Sequence, residues 1–281
     1  MKKLIALALC LTTAVSAALL CGCGKVRVPV SSADAEAQTA PQQASQGSPA
    51  QGTPQGTPQG NTQAVTAAPA QQDGMVEPTW FNDAVFVGDS ITTTLDYFCA
   101  DDPGLLGDAM FVCADSLSFH NAQWDINDPD AVHPTYRGEK VLAETAAEVT
   151  GANKLFILLG VNDIDSSYGV EDSVESMKTF IQKVLSRSPN VQIYMQSTTP
   201  MIPEKENDHI SNALIREFDE KMQAFCSENG YHYLDLYHQM CDDTGALRAE
   251  WCDDPNEDGI HFNYQGTLAW VNYLRSAVAG A

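Results

Sequence analysis

The chain has 281 residues, with 15 Lys and Arg against 37 Asp and Glu and a formal net charge of −22. Only four of the basic and three of the acidic residues precede position 76, so the acid excess belongs to the part that follows. Such a surface argues against nucleic acid as a partner, because binding phosphate needs concentrated positive charge, and against charge-driven adhesion of that part to an anionic membrane. An apolar share of 44% is that of a globular protein, and residues 76–281 are enough for one sizeable core and hardly for two.

Lys2 and Lys3 precede a mostly apolar run from Leu4 to Leu20, a positive region followed by the hydrophobic stretch of an export signal. Thr12, Thr13 and Ser16 interrupt the run and leave it marginal as a spanning helix. Leu20-Cys21-Gly22-Cys23 follows. It resembles a bacterial lipobox, which implies cleavage ahead of Cys23 and lipidation of that cysteine. A plain cleaved signal and an uncleaved anchor are the alternatives, and all three readings put the remainder outside the cytoplasm. Residues 31–75 contain no Lys or Arg, few apolar side chains, and the near-repeat Gln51–Pro54 and Gln55–Pro58. A segment of this kind cannot bury enough surface to offset its chain entropy. The expected organisation is a lipoprotein signal over 1–23, a disordered Gln/Gly/Pro/Ala-rich linker over 24–75 with a reach of roughly 35–40 Å, and a folded domain over 76–281. The expected attachment to the membrane is through the N-terminal lipid only, with the domain monomeric.

Five cysteines lie in the folded part: Cys99, Cys113, Cys226, Cys241 and Cys252. None forms a Cys-x-x-Cys pair, which argues against a zinc knuckle. Cys241 and Cys252 flank a short acidic loop, where a disulfide and two buried thiols both fit.

Ala84–Gly88, Ala109–Cys113, Lys154–Gly160, Val191–Ser197 and Tyr231–Leu236 are short apolar runs that predict buried strands. Between and after them, Val170–Ser186, His209–Glu228 and Tyr264–Val278 carry apolar residues at helical spacing, as in Val174, Met177, Ile181 and Val184. Buried strands alternating with helices predict an α/β fold with a parallel sheet covered on both faces. Active crevices in such sheets lie beyond the carboxyl ends of the strands, so chemistry is sought just after each strand.

The first strand runs into Gly88-Asp89-Ser90-Ile91. A serine there sits near the unpaired N–H groups that open a helix, and its hydroxyl can act as a nucleophile; a helix N-cap is the plainer reading. The third strand runs into Gly160-Val161-Asn162-Asp163. The Asn162 amide offers uncharged donors suited to an oxyanion hole, or is an ordinary turn asparagine, and Asp163 fits a cap of the following turn. Asp258-Gly259-Ile260-His261 precedes the last helix. An Asp three residues before a His can accept the Nδ1–H and leave Nε2 facing the serine as a base; otherwise His261 is a polar loop residue.

Taken together, these motifs resemble the SGNH (GDSL-like) hydrolase family over about residues 80–280. The resemblance implies a flavodoxin-like α/β/α sandwich on a five-stranded parallel sheet and cleavage of carboxylic esters without metal or other cofactor. It implies Ser90 as nucleophile, His261 as general base and acid, Asp258 as the orienting carboxylate, and an oxyanion hole from Asn162 and the Ser90 N–H. The family also places a glycine after the second strand as an oxyanion donor. Here Ala114-Asp115-Ser116-Leu117-Ser118 has none. Ser116 is the best match, and it keeps the N–H while lacking glycine's freedom at positive φ. The expected function is a lipid-anchored serine esterase acting through an acyl-enzyme, with O-acetyl groups on carbohydrate as the substrate. A lysophospholipase or thioesterase on the same triad, and a non-catalytic glycan-binding lipoprotein, are the alternatives.

Asp254-Pro255-Asn256-Glu257-Asp258-Gly259 matches the start of a calcium loop, but its twelfth position is Gln265 instead of a bidentate Glu, so a solvated acidic loop is expected. Ser116–Val141 is a long stretch with His120, Trp124, His133, Tyr136 and Arg137. Loops of this length are usually functional, and its aromatic side chains suit a substrate-binding lid as well as an ordinary pinned surface loop.

Overall fold

A computed structural model of the protein describes residues 74–102, 104–165 and 168–280. The expected signal, the Cys23 lipidation site and the linker lie outside the described residues. Among the described residues, no helix is long and apolar enough to cross a membrane.

The strands are β1 (Ala84–Gly88), β2 (Met110–Cys113), β3 (Thr135–Tyr136), β4 (Glu139–Lys140), β5 (Lys154–Leu158), β6 (Gln192–Gln196) and β7 (His232–Leu234). The helices are α1 (Ser90–Asp101), α2 (Ala146–Thr150), α3 (Val161–Ile164), α4 (Gly169–Arg187), α5 (Asn212–Asn229), α6 (Leu236–Met240) and α7 (Tyr264–Ala277). Five strands pair in the order β2-β1-β5-β6-β7, every neighbour parallel. Each expected strand and each long helix is present, with ends shifted by up to three residues. The sequence shows no sign of the β3–β4 hairpin, which interrupts the long stretch after β2.

Register is held by an unbroken line of rings. Phe111, Phe86, Phe156, Tyr194 and His232 stand opposite one another, one per strand. Their centroids are 5.2, 4.7, 4.5 and 4.4 Å apart, with successive planes within 19° of parallel. Cross-strand aromatic pairs add about 0.5–1.5 kcal/mol each beyond the area they bury. Because side chains alternate between faces, slipping one strand by one residue would remove its ring from the row. Trp80 closes over the row, edge-on to Phe156 and Tyr194, and Lys154 Nζ lies 4.1 Å from the Trp80 ring centre while pairing with Asp83.

On the sheet's helical layers, α4 buries Val174, Met177, Phe180, Ile181 and Val184, and α7 buries Trp270, Val271 and Leu274. The Trp270 indole donates to Gln196 Oε1 at 2.8 Å, tying α7 to the carboxyl end of β6. All five cysteines of the folded part are free thiols. Cys241 and Cys252 are buried and bridge instead to Leu247 and Phe262 through the backbone.

Phe156 is fully buried at the middle of the ring line. Replacing it with Ala should cost about 3–5 kcal/mol of unfolding free energy, measurable by urea denaturation. A loss below about 1 kcal/mol would show that the ring line does not carry the sheet.

Candidate active site

The first turn of α1 begins directly at the end of β1. Asp89, not Ser90, is the N-cap: its Oδ1 accepts from the Ile91 N–H at 3.0 Å. The Ser90 hydroxyl is thereby left for another partner, and it lies 2.8 Å from His261 Nε2. Gly88 permits this turn, since a Cβ there would overlap the Thr92 side chain and come within 2.7 Å of the Leu158 carbonyl oxygen.

His261 is held from the other side by Asp254. Its Nδ1 is 2.7 Å from Asp254 Oδ2, and its backbone N–H donates to Asp254 Oδ1 at 3.1 Å. This corrects the expectation that Asp258 fills that place. The cause is the shape of the loop. Cys252 and Phe262 pair antiparallel, and the Asp253 N–H donates to the His261 carbonyl at 3.0 Å. Residue 254 is therefore brought back across the loop neck to face 261. Asp258 sits at the exposed tip, followed by Gly259 in the left-handed region at φ 70°. In this loop the hydrogen bond at three-residue spacing is not made, the Nδ1 partner being Asp254. The chain makes that contact elsewhere, at the start of α6, where Asp235 Oδ1 lies 2.8 Å from His238 Nδ1. The Asp258 carboxylate stays near, within 4.8 Å of the Asp254 and His261 ligand atoms, while Asp254 makes the hydrogen bonds. Partial burial pushes the Asp254 carboxyl up, but the bonds from His261 and from the Cys252 thiol outweigh it and hold it below the ordinary carboxylate value.

The structure places Asn162 against the neighbours of both Ser90 and Ser116. Asn162, in the first turn of α3, donates through Nδ2 to Asp89 Oδ2 at 3.3 Å and to the Leu117 carbonyl at 3.2 Å. Its amide thus lies between the residue before Ser90 and the residue after Ser116. Both Nδ2 hydrogens are engaged at long distance, so facing an oxyanion means giving one of them up. Ser116 has φ 61°, the left-handed conformation that the expected glycine would supply freely, so the corner keeps its shape at a steric cost of about 1–2 kcal/mol. Asn121 Nδ2 holds the Ser116 carbonyl at 2.7 Å, which helps to keep it there.

Two buried carboxylates support this corner. Asp163 accepts the Phe119 and His120 N–H groups, each at 2.9 Å, so it anchors the chain after Ser116 and does more than cap its own turn. Asp89 lies under Asn162. Burial pushes both carboxyls up to about 7, against the pull of their backbone donors. These acids were legible only as neighbours of Ser90 and Asn162; the signal for their role is burial, which the motif spacing does not reveal.

The long stretch after Ser116 is fastened, unlike the lid that its length suggests. Ser118 and Asn121 exchange side-chain to backbone bonds at 2.8 and 3.0 Å, and the Gln123 amide reaches the Phe119 and Ser176 carbonyls. Beside Asn162 lies a cleft of about 250 Å³, bordered by Asp165, Lys205, Asn207, Glu257 and Asp258 with Met201, Ile210 and Ile260.

Residues 86–268, more than half of the chain, match the model of the GDSL-like Lipase/Acylhydrolase family. Among solved structures, the chain is similar to a GDSL-like lipase from Bacteroides thetaiotaomicron, with 13% identity, a TM-score of 0.53, and 73% of this chain covering 91% of that one. It is also similar to the lipase/acylhydrolase from Enterococcus faecalis, with 16% identity, a TM-score of 0.51, and coverage of 70% and 95%. At these identities the likeness is one of fold. No curated protein matches the chain.

Among the described residues, burial raises four carboxyls, those of Asp89, Asp163, Asp219 and the partly buried Asp96, and they set the sign of the pH dependence of stability. Asp89 and Asp163 hold protons in the folded state at pH values where the unfolded chain has lost them, so stability falls as pH rises from about 4 to about 7. Asp254 and Asp83 are lowered, and their contribution is lost only below about 4. Thermal unfolding should therefore give its highest Tm in weak acid. Asp89→Asn should flatten the decline between about pH 4.5 and 7.5, whatever its absolute Tm. An equal slope in the variant would remove Asp89 from this account.

Proposed function

Since the chain belongs to the GDSL-like lipase/acylhydrolase family and is an acylhydrolase of that family, we propose that it hydrolyses carboxylic esters through Ser90, His261 and Asp254. The observation that carries this is the continuous line of hydrogen bonds from Ser90 Oγ to His261 Nε2 and from His261 Nδ1 to Asp254 Oδ2. In the reaction, His261 Nε2 takes the hydroxyl proton as Ser90 Oγ attacks the ester carbonyl. Asp254 holds the imidazole in the tautomer that leaves Nε2 free and stabilises the imidazolium that forms. The oxyanion is received by the Ser90 and Ser116 N–H groups and by Asn162, which releases one of its resting bonds. Collapse expels the alcohol, protonated by His261. Water activated by the same ring then releases the acid and frees Ser90.

The substrate we favour is an O-acetylated carbohydrate. The cleft beside Asn162 supports an alcohol rich in hydroxyl groups, since carboxylates, an amide and one ammonium group outnumber the apolar side chains there. A long hydrocarbon tail, as a lysophospholipid or thioester would present, suits that lining less well. The non-catalytic alternative rested on the absent glycine, and Ser116 at φ 61° supplies the missing conformation. We further propose, from Lys2, Lys3, the apolar run and Cys23, that the enzyme is exported and held to the membrane by its N-terminal lipid, with the acidic domain reaching outward as a monomer.

A fluorophosphonate probe should label the enzyme covalently and fail to label Ser90→Ala; equal labelling of both would end the nucleophile assignment. Asp254→Asn should lower kcat on an aryl acetate by about a hundredfold or more, and far more than Asp258→Asn does. The reverse ranking would return the orienting role to Asp258.

A further inference from the structure

Away from the cleft beside Asn162, a second groove of about 400 Å³ runs between the 120–124 segment and one face of α4. Among the described residues, four aromatic side chains are exposed: Tyr97, Trp124, Tyr168 and Tyr264. Two of them, Trp124 at 38% and Tyr168 at 43%, line this groove. The opposite wall is Asp172, Glu175, Ser176 and Thr179, spaced so that they share one side of the helix.

The wall that carries Trp124 is built before any ligand arrives. His120 is fixed through its backbone to Asp163 at 2.9 Å, and its ring packs against Tyr168 with centroids 3.8 Å apart and planes tilted by 31°. Trp124 stands nearly perpendicular to His120, at 83°, and its backbone N–H donates to the Asn121 carbonyl at 3.1 Å. Gln123 ties this segment to α4 through the Ser176 carbonyl at 3.2 Å. Holding the 120–124 backbone in advance removes ordering cost from binding.

The geometry points to a subsite for a neutral pyranose ring of a polysaccharide, stacked on Trp124 and hydrogen-bonded along α4. An aromatic surface takes the C–H face of a sugar ring, while Asp172 and the Thr179 hydroxyl supply acceptors and a donor for its equatorial hydroxyls, the Ser176 hydroxyl being paired with His120 Nδ1 at 3.5 Å. Anionic ligands, nucleic acid included, meet two carboxylates and no lysine or arginine in the lining, and the neighbouring Lys178 is held by Glu175 at 2.7 Å. A cationic ligand is favoured by a cage of several open ring faces, whereas here the Tyr168 ring already packs against His120. The groove is joined to the reaction centre through short links. Asp163 holds His120, and Asn162 holds Leu117. This inference rests on the ester-hydrolysis reading only for its purpose, which is to seat the polymer while one of its acyl groups meets Ser90.

Calorimetry on the full-length chain carrying Ser90→Ala separates the two. The probes are xylohexaose, cellohexaose and chitohexaose as neutral oligosaccharides, with hexagalacturonate and hexaglucosamine as the anionic and cationic ones. At least one neutral hexaose should bind with a Kd below about 1 mM. Adding Trp124→Ala should weaken it about tenfold or more, and Trp124→Phe, which keeps a ring, should weaken it less. Absence of binding by every neutral hexaose, equal binding by Trp124→Ala, equal loss in the Ala and Phe variants, or binding of a charged hexamer alone would each overturn the subsite. Hydrolysis of an aryl acetate by the unsubstituted enzyme reads the esterase proposal independently. Turnover without oligosaccharide binding sinks only the subsite, and binding without turnover sinks only the esterase reading.

Discussion

The parallel register of the sheet is the constraint on which the rest of the molecule depends. Each strand contributes one ring to the line from Phe111 to His232, and the pairing that aligns the rings also aligns the strand ends. Gly88, Leu158 and Cys113 share that pairing. The residues that follow them therefore emerge on the same rim, which is why Ser90, Ser116 and Asn162 meet although they are far apart in the chain. The chemistry at this rim is local, while the force that positions it is spread over the whole sheet.

Around that rim the molecule accepts two unfavourable features. Asp89 and Asp163 are carboxylates removed from water with amide donors in place of a cation, and Ser116 sits where an L side chain is strained. Each is matched by bonds that fix a neighbour: Asp89 to α1 and Asn162, Asp163 to the 119–120 backbone, Asn121 to the Ser116 carbonyl. Stability is given up at the corner proposed to receive the oxyanion, and backbone strain often coincides with function. The ring line and the helices packed on it are the reserve that permits this.

Much of this was legible in the chain. The five apolar runs predict the five sheet strands because strands buried on both faces need continuous apolar sequence, and the glycine, serine and asparagine that end two of them lie where an α/β fold puts its crevice. The orienting carboxylate was not legible, for a definite reason. Asp254 and Asp258 belong to one acidic loop, and spacing favours Asp258. Only the pairing of Cys252 with Phe262 and the left-handed Gly259 decide for Asp254, and neither leaves a mark in local sequence. The β3–β4 hairpin and the fastening of the 118–123 segment escaped for a related reason. The fastening depends on Asn121, Gln123 and Asp163, whose partners lie up to 53 positions away, and the hairpin is a two-residue pairing that no apolar run marks.

The acid residues that border the cleft beside Asn162 bear on how a catalytic cycle ends. In the proposed cleavage a neutral ester becomes an anion, and that anion would be released near a cleft bordered by Asp165, Glu257 and Asp258 on a domain with a large negative excess. Like charges push it outward, so the departing acid gains an electrostatic impulse that the incoming neutral ester never feels. The same field gives this enzyme a direction, drawing no penalty on entry and hastening exit.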